Sequence, residues 1–352
     1  VLTTRNIVVG TGARPAIPPI EGIEDVDYLT SDTIWNIRKQ PEKLLVLGGG
    51  PIGSELTQAF ARLGCSVTQV QRNKRLLPRE DPEVSQMVLE SFQKDGINVL
   101  LEHTPKKFFK REGKDFMECE HNGSSVEIPF DTLLVALGRK ANTTGFGLEE
   151  LGVELSPRGT IQVDETMRTN IPNIYACGDV AGPYQFTHIA AHQAWYCAGN
   201  SMLSPFWGFK VDYSTVPWST FTDPEVARSG LNELEAKEQG IPYEVTTYGI
   251  DDLDRAIADE AAYGTVKVLT VPGKDKILGV TIAGLHAGDI IAEYIAAMKH
   301  GFGMNKILGT IHIYPTLAES NKFAAGNWKK NNVTEKTLAW GERINRWRRD
   351  YF

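Results

Sequence analysis

Residues Gly48-Gly49-Gly50-Pro51-Ile52-Gly53 set glycines at the spacing G-x-G-x-x-G, directly after the apolar run Leu44–Leu47 and before a stretch of helical periodicity. That context makes the pattern a dinucleotide-binding turn. Gly48 permits the tight reversal, Gly50 lets a pyrophosphate approach the backbone, and Gly53 lets helix and strand pack closely. The N–H groups and dipole of the helix that follows attract the anion. A carboxylate at the end of the next strand would select NAD through its ribose hydroxyl. Here that strand ends Val70-Gln71-Arg72-Asn73-Lys74-Arg75, with no acid and three cations. Arg72 with Lys74 or Arg75 suits a 2′-phosphate, so NADP is expected, with NAD as the alternative.

Elements that would position this chemistry are legible as four short apolar runs ending in glycine, at Gly10, Gly48, Gly138 and Gly178. Runs of that kind suit strands covered on both faces of an α/β sheet. Val9-Gly-Thr-Gly-Ala-Arg14 and Val135-Ala-Leu-Gly-Arg139 echo each other as two entries into nucleotide-binding layers. Ser54 to Leu63 has helical spacing, and Val67–Val70 reads as a strand, completing a βαβ unit with a parallel sheet. Beyond about Val211 the segments Thr246–Tyr248, Thr265–Thr270 and Ile277–Ile282 read as antiparallel strands, followed by a helix from Ala287 to His300.

These residues in this order resemble the class I pyridine nucleotide–disulfide oxidoreductases, with motifs nearest the mercuric reductase and dihydrolipoamide dehydrogenase branches. Gly10-Thr-Gly-Ala-Arg-Pro15 is similar to the strand leaving the first flavin segment, and places Gly12 at the cofactor. Gly48 to Glu55 matches the nucleotide loop, whose glutamate lies near nicotinamide and flavin. Leu137-Gly138-Arg139 matches the strand that closes the nicotinamide domain. Ile174-Tyr-Ala-Cys-Gly-Asp179 resembles the second flavin motif, with Asp179 on the ribityl chain. Thr187 and Ala190 fall in the segment whose backbone touches the flavin ring.

The resemblance implies an α/β fold of doubly wound nucleotide-binding domains, with the FAD domain split in sequence and the NAD(P) domain inserted. A C-terminal α+β dimerisation domain follows. It divides the chain into a first FAD segment (1–35), an NAD(P) domain (36–140), a second FAD segment (141–208), an interface domain (209–330) and a basic tail (331–352). The implied activity passes hydride from NADPH to FAD, and electrons then to a dithiol, a disulfide or a metal acceptor. The implied partner is a second copy, whose C-terminal motif, His312-Ile-Tyr-Pro-Thr-Leu-Ala-Glu319, completes the active site.

Two departures qualify that expectation. The family's opening glycine-rich unit and its Cys-x4-Cys disulfide are not in this sequence, which reads as an N-terminally incomplete, inactive fragment of such an enzyme. Cys65, Cys119, Cys177 and Cys197 form no C-x-x-C. A non-catalytic nucleotide-binding and dimerisation piece is therefore a third reading, beside the reductase and the dihydrolipoamide dehydrogenase type. The second departure is Tyr314, where disulfide-reducing members carry a histidine oriented by a glutamate, here Glu319. A phenol titrating near 10 is a poor base at neutral pH. His312, two residues earlier, would share a face with Tyr314 in an extended segment and is a substitute base or a packed structural histidine.

Composition bounds the rest. The chain has 352 residues, with 37 basic against 44 acidic side chains and a net charge of -7, so nucleic acid is not an expected partner. No uncharged apolar stretch is long enough to span a bilayer. Few, scattered cysteines fit a reduced, cytoplasmic setting. No metal-ligand cluster stands out. In the tail, Trp340, Ile344, Trp347 and Tyr351 recur at helical spacing beside Arg343, Arg346 and Arg349. Such a helix packs on its own dimer or, through 334–352, makes weak contact with a membrane surface.

Overall fold

A computed structural model describes residues 3–351; Val1, Leu2 and Phe352 lie outside the described residues, as do the side chains of Thr337 and Tyr351. The chain divides into two units, one of residues 1–77 and 92–213, the other of 78–91 and 214–352.

In the first unit, Lys43–Leu47 sits inside a five-stranded parallel sheet in the order Tyr28–Thr30, Thr132–Val135, Lys43–Leu47, Ser66–Gln71, Asn98–Leu101. Leu44, Leu45, Val46 and Leu47 are all at most 1% exposed, which explains why the run is continuously apolar rather than alternating. Leu45 and Leu47 face one buried cluster and Leu44 and Val46 another, so both faces of the sheet are covered. The helix between strands runs Pro51–Arg62, starting earlier than its periodicity indicates because Pro51 serves as the first helical residue.

Ile7–Val9 pairs in parallel with Ile174–Ala176 in a separate two-stranded sheet, which brings the first and last flavin-type segments together. The two echoing segments meet directly, since Ala13–Pro15 and Arg139–Ala141 are antiparallel partners. A three-stranded antiparallel sheet, Thr104–Arg111, Lys114–His121 and Ser124–Phe130, is absent from the sequence reading. Its signal was present in the turns Glu112-Gly113 and Asn122-Gly123, where both residues take positive φ as two-residue hairpins require.

The second unit is an antiparallel sheet in the order Pro217–Thr220, Glu225–Gly230, Ile277–Gly284, Thr265–Thr270, Glu244–Gly249. Its core joins Val266, Val268, Val280 and Ile282 of the sheet to Tyr294, Ala324 and Trp328 of the helices. The helix expected from Ala287 to His300 is two helices, Ala287–Ile290 and Ala292–Lys299. Residues 78–91, which the sequence places in the nucleotide domain, group with this unit through ion pairs of Glu80 and Asp81. The tail is a helix, Glu335–Tyr351, with Leu338, Trp340 and Trp347 exposed.

Candidate functional site

The strand Lys43–Leu47 must reverse into Pro51–Arg62 within three residues. Gly48 does this at φ 112°, and a Cβ there would stand 2.4 Å from the Ala136 carbonyl oxygen. A Cβ on Gly53 would lie 2.2 Å from the Gly48 oxygen, so helix and turn touch where only glycine fits. Gly50 differs. Nothing lies within 4 Å of its added Cβ, and no side chain caps the helix. The first-turn N–H groups, which have no helical acceptor, therefore border open space. An uncapped helix start beside a missing Cβ fits a dinucleotide pyrophosphate.

Gln69, fully buried on the next strand, braces this turn by donating to the Gly48 carbonyl at 2.9 Å and to Ser54 Oγ at 3.3 Å. Sequence reasoning missed it, because a polar residue inside an apolar strand gave no hint of its partner. Gln71 ends the strand, and Arg72 and Lys74 follow it exposed. Arg75 is half-buried, with Nε enclosed and without a hydrogen-bond partner. Glu55 is half-buried on the same helix.

A second group forms where the flavin-type segments meet. Gly178 turns the chain at φ 77° into a short 3-10 helix that carries Asp179. Arg139 Nε stands 3.4 Å from Asp179 Oδ2 without hydrogen-bond alignment, so the carboxylate keeps its acceptor capacity. The same guanidinium is fixed by donation to the Ala13 carbonyl at 2.6 Å and by Asp32 at 3.4 Å. Gly138 and Gly12 take positive φ, and an added Cβ at either would meet nothing within 4 Å. Asn142 N–H donates to the Gly12 carbonyl at 2.9 Å and holds that turn. Thr187 opens the helix Thr187–Leu203, which no side chain caps, and Ala190 packs where a Cβ on Gly178 would come within 3.3 Å. An oriented carboxylate, open glycine turns and an uncapped helix start fit the ribityl and ring end of a flavin.

Gln193 holds this loop and was not singled out by the sequence. It is fully buried, accepts from Gly178 N–H at 2.6 Å, and donates to the Gly182 carbonyl at 2.7 Å and to Tyr213 Oη at 2.6 Å. Gln193→Leu strands a buried backbone donor and acceptor, each at about 1–3 kcal/mol. The expected outcome is a clear fall in the urea midpoint. An unchanged midpoint would remove Gln193 from this role.

The C-terminal motif is arranged otherwise than the resemblance implies. Tyr314 Oη donates to Asp254 Oδ2 at 2.8 Å, not to Glu319. That bond raises the Tyr314 pKa above its ordinary value, away from any role as a base at neutral pH. Glu319 is buried and its Oε2 accepts from Thr316 N–H at 3.2 Å. His312 Nδ1 faces the Thr310 carbonyl at 3.0 Å and Nε2 faces the Glu293 carboxylate at 3.0 Å. With both ring nitrogens engaged, His312 has none directed at a substrate. Tyr314 is 68% exposed, as is most of the surrounding stretch, with Ile311 and Ile313.

Residues 1–194 match the profile of the pyridine nucleotide-disulphide oxidoreductases, and residues 216–325 match that family's dimerisation domain. The chain belongs to this family. The family is FAD-dependent and binds a nicotinamide dinucleotide. The chain is 34% identical over 331 residues to a mercuric reductase of Staphylococcus aureus, covering 94% of itself and 60% of that protein. It is 35% identical over 323 residues to a dihydrolipoyl dehydrogenase of Chlamydia trachomatis, covering 91% of itself and 68% of the other. Among solved structures it is similar to the HOCl-induced flavoprotein disulfide reductase RclA from Escherichia coli, with a TM-score of 0.83 and 28% identity, covering 91% and 73% of the two chains. The chain thus spans about 60% of the length of the mercuric reductases of Staphylococcus aureus and Lysinibacillus sphaericus that it matches.

Proposed function

We propose that this chain serves an FAD-dependent NAD(P)H oxidoreductase of the disulfide-reductase type, similar to the mercuric reductases, with a disulfide or soft metal ion as acceptor. The observation that carries the reading is the open Gly50 turn at an uncapped helix start, in the same unit as the Asp179 loop. FAD, when bound, supplies the two-electron chemistry between nicotinamide and acceptor. The chain's own part is to hold and orient. The Gly48–Gly53 turn would seat a pyrophosphate, Asp179 would hold the ribityl chain, and the uncapped first turn at Thr187 would face the ring. A dihydrolipoamide dehydrogenase type is disfavoured by Tyr314 in the histidine's place. Full-length protein should be yellow, absorbing at about 450 nm as oxidised flavin does, and should oxidise NADPH when an acceptor is added. A colourless protein that binds NADPH would replace this reading with a non-catalytic nucleotide-binding one.

NADP is favoured over NAD by Arg72 and Arg75 at a strand end that carries no acid. A charged hydrogen bond contributes about 1.5–3 kcal/mol, or roughly 10- to 100-fold. Arg72→Ala and Arg75→Ala should each lower kcat/KM for NADPH by about tenfold or more on that scale while leaving NADH little changed. Equal losses with both nucleotides would sink the assignment.

A homodimer is supported by the match of residues 216–325 to a dimerisation domain. The exposed segment around Tyr314 then reaches the partner's flavin and completes its site. Tyr314→Phe removes the bond to Asp254, and should slow acceptor reduction without changing the melting temperature. Unchanged turnover on every acceptor would take Tyr314 out of the chemistry. The proposed setting is the cytoplasm, a reducing compartment that the four free thiols suit. Exposed Trp340 and Trp347 beside Arg343, Arg346 and Arg349 suit packing of 334–352 on the dimer first and, second, weak contact with an anionic membrane surface. Equal flotation on anionic vesicles with and without those residues would discard it. Among the described residues no helix is long and apolar enough to cross a membrane.

A further inference from the structure

Two of the four cysteines, distant in sequence, meet beside the flavin-type loop. Cys177 follows the strand Ile174–Ala176 and precedes Gly178 and Asp179. Cys197 is fully buried on the helix Thr187–Leu203, with Sγ 3.5 Å from the carbonyl oxygen of Ala176, the residue just before Cys177. Cys197 Sγ thus lies against the peptide that joins Ala176 to Cys177, close enough for each thiol to shift the other's titration. Gln193, one helical turn before Cys197, ties the helix to Gly178 at 2.6 Å and fixes this approach.

We propose that Cys177 and Cys197 form a reversible redox pair, closing to an intramolecular disulfide on exposure to peroxide. Cys177 is the attacking sulfur. It is half-buried where Cys197 is sealed, and it faces Gly10, which has no side chain to cover it. Interaction with Cys197 holds the Cys177 thiol below its ordinary value and raises that of Cys197. Thiolate is the nucleophilic form, so Cys177 is primed and Cys197 waits as the resolving thiol.

The chemistry closes without a further reactant. The Cys177 thiolate attacks one peroxide oxygen, the O–O bond breaks, and water leaves after protonation, giving a sulfenic acid. Cys197 sulfur then attacks Cys177 sulfur, the S–O bond breaks, and a second water departs with the thiol proton. Two thiols lose two electrons and two protons, and one peroxide is reduced to two waters. A low-molecular-weight thiol reverses the step by exchange. Gly178 and Asp179 follow Cys177 directly, so closure acts at the start of the loop that carries Asp179. Cys65 and Cys119 offer no such pair, and burial pushes the Cys119 thiol up to about 12.

The test treats reduced, native full-length protein with hydrogen peroxide, then blocks free thiols with an alkylating agent and digests without reductant. The expected result is one linked peptide pair carrying Cys177 and Cys197, lighter than the two peptides together by two hydrogens and separated by dithiothreitol. Cys65 and Cys119 should be recovered alkylated. In Cys197→Ser, Cys177 should instead be trapped by dimedone as a sulfenic acid. Recovery of both cysteines alkylated from the peroxide-treated native protein overturns the proposal. So does oxidation of Cys177 beyond the sulfenic state with no linked peptide. The wild-type digest decides by itself, so a poorly folded serine variant does not protect the idea.

Discussion

Lys267→Met should destabilise the unit of residues 78–91 and 214–352 by about 3–5 kcal/mol, the range for breaking a buried ion pair from one side. Lys267 is 3% exposed, and its ammonium donates to Asp81 Oδ2 at 2.8 Å, reaches Glu233 Oε1 at 2.5 Å and contacts Glu83. Asp81 is 1% exposed, so the substitution leaves an uncompensated carboxylate where water cannot replace the lysine. Burial alone would raise the Glu233 carboxyl, but its hydrogen bonds from Lys267 and Tyr243 outweigh this and hold it down to about 2. A carboxyl depressed on folding contributes stability above its unfolded pKa, and loses it as pH falls through the folded value. The wild-type midpoint should therefore fall as pH drops from about 5 towards 2, while the gap to Lys267→Met narrows, because protonation relieves the stranded acids. Urea denaturation at several pH values reads both effects. A variant within about 1 kcal/mol of wild type at neutral pH would show that the cluster is solvated rather than buried.

Gly53→Ala and Gly50→Ala should separate folding from binding at the nucleotide turn. The Gly53 Cβ would lie 2.2 Å from a backbone oxygen that has no side-chain freedom, so the turn must open. Overpacking of that kind costs about 1–3 kcal/mol, and NADPH binding should be lost with it. Gly50 sits at φ -82° with nothing within 4 Å of an added Cβ, so alanine meets no strain and no clash. Its melting temperature should match wild type, yet the methyl group would occupy the pyrophosphate's place. A tenfold or greater rise in Kd for NADPH is expected by isothermal titration, which is about 1.4 kcal/mol. Wild-type affinity in Gly50→Ala would show that the cradle is not the pyrophosphate seat.

The nucleotide turn was readable because its requirements are local. Glycine spacing, the preceding apolar run and the helix that follows all lie within about twenty residues of one another, at the scale where such fingerprints operate. The parallel sheet followed from runs apolar on both faces, and the antiparallel unit from its alternation and turns. The hairpin sheet from Thr104 to Phe130 is signalled by Asn122-Gly123, but its strands are rich in charged residues and carry only a weak apolar pattern. Sequence order placed Asp179 and Arg139 in separate motifs, and only the pairing of Ala13–Pro15 with Arg139–Ala141 brings the guanidinium to the carboxylate.

What the sequence determined by itself is therefore the kind of chemistry: a dinucleotide turn, a cationic strand end, a flavin-type aspartate and a tyrosine in place of a histidine. Tertiary structure decided which side chains act on one another. Tyr314 meets Asp254 rather than Glu319, and His312 meets Glu293. Lys267 bonds Asp81 across 186 residues, and Cys197 reaches the Ala176 carbonyl beside Cys177 on a helix that Gln193 holds in place. Backbone turns are set by the conformational freedom of a few adjacent residues, which sequence states directly. A hydrogen bond or thiol contact depends on distances of a few ångströms between distant positions, and these exist only once the sheets and helices have packed.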